Sequence, residues 1–145
     1  MESGKYDICA GQRRIYQLAY KKNLSMKEFS DLYLRSDFCR REFDAEWSRF
    51  HLETAEESMD FILPETGGSL KEVTAQDIDI DLAGYVGFMY RYLFLITPYS
   101  SAELADRVSF EDIANTVDEA TIKGEDLVVE EICMKHGLEY DADKI

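Results

Sequence analysis

Two prolines and eight glycines in 145 residues leave too few turn formers for a sandwich or barrel of short strands. The three cysteines, Cys9, Cys39 and Cys133, are odd in number and lack C-x-x-C spacing, so no disulfide framework is expected. They read as small buried apolar residues in a reducing compartment. No apolar stretch is long enough to span a bilayer: Leu82 to Thr97 falls short and carries Arg91 at its centre. The start of the chain, Met1 to Tyr6, is polar and no apolar signal core follows, which points to a cytoplasmic protein with no membrane association.

Sequence motifs for catalysis are equally scarce. There is no Walker loop and no G-x-G-x-x-G after a strand, and "GYVG" at 84–87 lacks phosphate-binding spacing. His51 and His136 do not form an H-x-x-x-H pair, so a zinc site would need ligands from distant segments. Cys133 and His136 are three apart on a helix, but nothing supplies an oxyanion hole or an orienting third group. Asp77, Asp79 and Asp81 begin like a calcium loop, yet the glycine and glutamate it needs are Leu82 and Phe88 here. The expectation is a non-enzymatic protein without metal or cofactor.

What the chain does have is apolar content and acid. Hydrophobic residues make up 46%, with eight Phe and nine Tyr, enough for one core in one domain spanning 1–145. The net charge of −14 is unevenly spread. Residues 1–50 hold ten Lys or Arg against eight Asp or Glu, whereas residues 51–145 hold six against twenty-two. An acidic surface of that size repels nucleic acid and suits a basic protein partner.

Helix signals run from end to end and predict an all-α bundle of six to eight helices. Ile8, Ile15, Leu18 and Ala19 space a first helix over Tyr6–Lys22. Ser25 with Glu28 is a capping box for a second, and Ser36 or Asp37 starts a short third through Phe43. Trp47, Phe50, His51, Ala55, Met59 and Ile62 share a helical face, with Thr54 and Glu57 as a possible internal cap. The "PETGGS" run at 64–69 is a loop. Thr74 with Asp77 opens the central helix, about 78–97. Within it, "QDIDIDL" alternates with period two; an acidic helix start is preferred over a strand. Ser100 with Glu103 and Ser109 with Asp112 cap two short helices. A last helix runs from about Glu119 to His136, with Gly137 just beyond it.

The central helix raises the sharpest question. Leu82, Val86, Met89, Leu93 and Ile96 form one stripe, and Gly84, Gly87 and Arg91 lie opposite, flanked by Phe88, Phe94 and Leu95. Such a helix is apolar nearly all round, which predicts burial. Either another helix crosses closely at the glycines and brings Arg91 a carboxylate, or Tyr90, Arg91 and Phe94 anchor a partner on an exposed face. The segment 23–43 also has the length of a helix-turn-helix, with Arg35, Arg40 and Arg41 available to phosphates, but helical-hairpin packing is preferred.

The runs "GYVGFMYRYLFLITPYSSAEL" and "NLSMKEFSDLYLRSDFCRREFD" resemble a pattern in small bacterial helical proteins of toxin–antitoxin-like loci, over roughly residues 12–137. There, a Gly-aromatic-Tyr-Arg helix precedes a Ser-Ser-x-Glu-Leu cap; Tyr85-Val86 here replaces the Trp or Ile usual before the glycine. The resemblance implies the non-enzymatic neutralising partner of an ADP-ribosyltransferase-type toxin, or an accessory protein of such a locus, and carries over no catalytic residues. On this reading Glu125, Asp126, Glu130 and Glu131 of the last helix steer a basic partner, either a toxin or a nucleic-acid-binding effector. The alternative is a nucleic-acid mimic of the phage anti-defence type.

Overall fold

In the computed structural model, which describes residues 1–66 and 68–145, eight α-helices follow one another: α1 (Ser3–Lys21), α2 (Met26–Leu34), α3 (Ala55–Ile62), α4 (Ile80–Ile96), α5 (Ser101–Arg107), α6 (Phe110–Ala114), α7 (Val117–Lys123) and α8 (Glu125–Lys135). A π-helical turn at Cys39–Phe43 and 3-10 turns at Arg49–His51, Leu63–Thr66 and Ala142–Lys144 complete the helical content. Among the described residues there is no strand, only an isolated bridge between Leu24 and Glu72. No described helix is long and apolar enough to cross a membrane.

The long helices α1 and α4 form the centre and share the most extensive packing. Every residue from Ala83 to Leu93 is buried, as the all-round apolar pattern requires. The buried stripe of α1 is Cys9, Gly11, Gln12, Ile15, Tyr16 and Ala19, while the expected Ile8 and Leu18 are half-buried at its edges. That rotation brings Gln12 and Tyr16 directly onto the glycine side of α4.

Several expected boundaries shift for visible reasons. Ser25 precedes α2 without a side-chain cap. Gln76 replaces it: its Oε1 accepts from the Met26 N–H at 3.1 Å and its Nε2 donates to the Leu24 carbonyl at 2.9 Å. The segment 76–78 is not helical, and α4 starts at Ile80 and not at Thr74 or Asp77. The Asp79 carboxylate caps it, accepting from the Leu82 N–H at 2.8 Å. Asn23 sits at φ 61°, the left-handed position that ends α1.

The span 47–62 is not one helix. Ser48 caps the short Arg49–His51 turn and Thr54 caps α3, leaving Trp47 76% exposed rather than on the core face. The predicted helix over 119–136 breaks at Gly124, whose φ of 92° divides α7 from α8. The caps at Ser100–Glu103 and Ser109–Asp112 form as expected, the former as a full capping box. Gly137 takes φ 64°, and the Leu138 N–H reaches back to the Cys133 carbonyl at 2.9 Å while its side chain is buried. The "PETGGS" reading falls on the Leu63–Thr66 turn, and its Gly67 lies outside the described residues.

Candidate functional site

Arg91 is 0% exposed and occupies a socket built by three segments, α1, the 39–44 turn and the start of α5. Its Nη1 donates to the Asp44 carboxylate at 2.8 Å and to the Phe43 carbonyl at 3.2 Å. Nε and Nη2 converge on Gln12 Oε1 at 3.0 and 2.8 Å, and Nη2 also meets Ser101 Oγ at 3.0 Å and Cys39 Sγ at 3.3 Å. Asp44 accepts in turn from the Ser101 N–H at 3.0 Å and from its hydroxyl. The guanidinium is therefore paired and every face of it is satisfied, the condition under which a charge tolerates burial. Burial by itself opposes the charge, but Cys39, Tyr33 and Asp44 outweigh it and hold the Arg91 pKa above its ordinary value.

The two glycines make this socket reachable. A Cβ on Gly87 would lie 2.6 Å from the Tyr16 ring and 3.0 Å from the Gln12 carbonyl oxygen; one on Gly84 would lie 2.8 Å from Arg13 Cγ. Close approach lets Gln12 Nε2 donate to the Gly87 carbonyl at 2.9 Å, and Tyr33 completes Gln12 by donating to Oε1 at 2.8 Å. Gln12 thus ties α1, α2 and α4 to the cation.

Anchoring by Tyr90, Arg91 and Phe94 presupposed an exposed helix, and the first two are enclosed. Tyr90 is buried and donates to the Val108 carbonyl at 2.6 Å. Phe94 is half-buried, its ring 4.6 Å from the Arg91 guanidinium carbon. Of the arginines of 23–43, Arg35 pairs with Asp31 and Asp106 and Arg40 with Asp37, while Arg41 donates to the Asp37 backbone carbonyl at 3.3 Å. The second half of that segment is the expected short helix over 37–43, its last five residues π-helical with Cys39 and Phe43 buried, too short for a recognition helix.

Burial pushes the Cys9 and Cys133 thiols up to about 12, so both are protonated at neutral pH. Among the described residues, no group of three His, Cys, Asp or Glu could hold a metal ion.

Among the described residues, His51 has a buried side-chain nitrogen left unsatisfied. Its ring packs edge-on against Phe43 at 5.3 Å, and its Nε2 is enclosed without a hydrogen-bond partner. Burial and the Arg91 charge lower its pKa, partly offset by the Glu42 and Phe43 backbone and the Glu42 carboxylate. The fold therefore holds His51 neutral, and its contribution to stability is complete above the ordinary pKa of 6.5. As pH falls below that value the unfolded chain takes up the proton and the folded one resists, so stability declines. A His51→Leu variant is expected to lose less stability between pH 7 and pH 5 than the parent, measured by urea unfolding at each pH.

The four carboxylates of the last helix are placed differently from the aromatic residues. α8 buries Val128, Val129, Ile132 and Cys133. Its opposite side carries Leu127 and Met134, 53% and 61% exposed, beside Asp126, Glu130 and Glu131. Asp126 accepts from the Tyr92 hydroxyl at 2.9 Å and Glu130 from the Tyr140 hydroxyl at 3.0 Å. Glu131 pairs with Lys123 at 2.8 Å, and Glu125 opens the helix after Gly124.

Sequence reasoning missed Asp44, Ser101 and Gln12 as partners of Arg91. Gln12 had a signal: it lies three residues after Cys9 and four before Tyr16, a polar residue within an apolar stripe. Asp44 had none, because its role depends on the irregular turn at 39–43. No protein-family model, no curated protein and no solved structure matches this chain.

Proposed function

We propose that this chain is a non-enzymatic, acidic binding protein that neutralises or regulates a basic protein partner, in the manner of an antitoxin. The observation carrying this reading is the outward face of α8, where large apolar side chains stand exposed among carboxylates. Single exposed apolar residues are ordinary, but two on one ridge inside a strongly anionic surface combine contact area with electrostatic steering. The interior polar cluster around Arg91, by contrast, is consumed in holding the helices together.

Nucleic-acid mimicry draws on the same excess of acid over residues 51–145. It needs charge alone, so exposed Leu127 and Met134 favour the first reading. The two separate by salt: a mimic loses affinity steeply as ionic strength rises, whereas binding with an apolar contact retains much of it. The test is co-expression with the product of the adjacent gene. Recovery of a complex and rescue of growth support the proposal; no complex and no rescue end it.

A further inference from the structure

We propose that the outward face of α8 receives a cationic amphipathic helix of the partner, an inference that rests on the binding role proposed above and specifies the partner's chemistry. Leu127 and Met134 are seven residues apart, two helical turns, so they form a ridge about 10 Å long along the axis. A partner helix with apolar residues at i, i+3, i+4 and i+7 can seat against such a ridge.

The flanks of the ridge are not equivalent. On one side Glu131 is met by the Lys123 ammonium, which also reaches Glu119 at 3.4 Å. On the other side Asp126 and Glu130 accept hydrogen bonds from neutral tyrosine hydroxyls. Those bonds orient the carboxylates without cancelling their charge, so this flank stays anionic. The partner's Lys or Arg side chains therefore fall on the Asp126–Glu130 side. A second copy of this chain would bring like charges onto the same flank, and nucleic acid or an anionic lipid surface would be repelled. A cationic helix is the occupant whose charge and periodicity both fit.

The probe is a synthetic 18-residue helix of leucine and lysine with leucines at i, i+3, i+4 and i+7, against a scrambled peptide of identical composition. Isothermal titration at physiological salt should show the amphipathic peptide binding at least about tenfold more tightly than the scrambled one. Leu127→Asp with Met134→Asp should abolish that preference although it adds negative charge. Asp126→Asn with Glu130→Gln should weaken binding roughly tenfold, and Lys123→Gln with Glu131→Gln, which removes a neutral pair, by less than about twofold. All six changes fall outside the buried core, and matched thermal melts confirm folding. Equal affinity for both peptides, no binding, or full affinity after the Leu127 and Met134 changes would overturn the inference. A toxin complex that forms regardless of those changes leaves the antitoxin-like reading standing while ending this one; loss of growth rescue with peptide binding intact does the reverse.

Discussion

Replacing Arg91 by methionine is expected to destabilise the protein by about 3–5 kcal/mol, the range for breaking a buried ion pair by removing one member. A domain of this size has only about 5–15 kcal/mol in total. The loss comes less from the missing contacts than from what remains. The Asp44 carboxylate keeps Ser101 as a donor but loses its countercharge, while the Phe43 carbonyl and Gln12 Oε1 lose guanidinium donors in a space closed to water. Arg91→Lys is expected to recover little, because an ammonium cannot reach Asp44, Phe43 and Gln12 from one planar fork. Adding Asp44→Leu to Arg91→Met should restore part of the stability by removing the orphaned charge, but not all, since the Ser101 N–H then lacks its acceptor. Urea unfolding of the single and double variants measures each quantity, and an Arg91→Met variant within about 1 kcal/mol of the parent would contradict the reading of the socket.

The second large effect separates the two glycines. Gly87→Leu is expected to cost about 3 kcal/mol or more. Its first side-chain atom alone falls 2.6 Å from the Tyr16 ring and 3.0 Å from the Gln12 backbone oxygen, and neither can move without shifting α1. Gly87→Ala should still destabilise, because overpacking of about 1–3 kcal/mol outweighs the gain of roughly 1 kcal/mol in helix propensity. Spreading α1 from α4 would also stretch the bond from Gln12 to the Gly87 carbonyl and so loosen the Arg91 socket. Gly84→Ala meets Arg13 Cγ at 2.8 Å and Gln17 Cγ at 2.9 Å, stems of half-buried side chains that can shift more than a ring and a backbone carbonyl, and is expected to destabilise by less than Gly87→Ala. Thermal and urea melts of the three variants test the order.

The parts of this fold that were legible in sequence are those set by local chemistry. The caps at Thr54, Ser100 and Ser109, the reversal at Gly137 and the burial of 83–93 all follow from short-range spacing. Misreadings arose where a distant residue replaced a local one. Gln76 displaced Ser25 as the cap of α2, and Asp79 rather than Thr74 caps α4. Gly124, which interior helix propensity alone would tolerate, takes a positive φ and splits the last helix. At the site, the demand of Arg91 for a carboxylate was readable from its setting, whereas the identity of Asp44 required the irregular turn at 39–43 to be known. The acidic residues of α8 were visible as charge, but the apolar ridge between them was not, because Leu127 and Met134 blend into a helix that also buries four apolar residues.

Arg91 and its glycines thus belong to the interior joint of α1 and α4, and recognition is assigned to the outside of α8. Hydrogen–deuterium exchange of the protein with and without the amphipathic leucine–lysine peptide tests that division most directly. The account predicts slowed exchange across α8 and the adjoining end of α7, with no change around the exposed Trp47 turn. Protection centred on 44–54, with α8 unaffected, would contradict it.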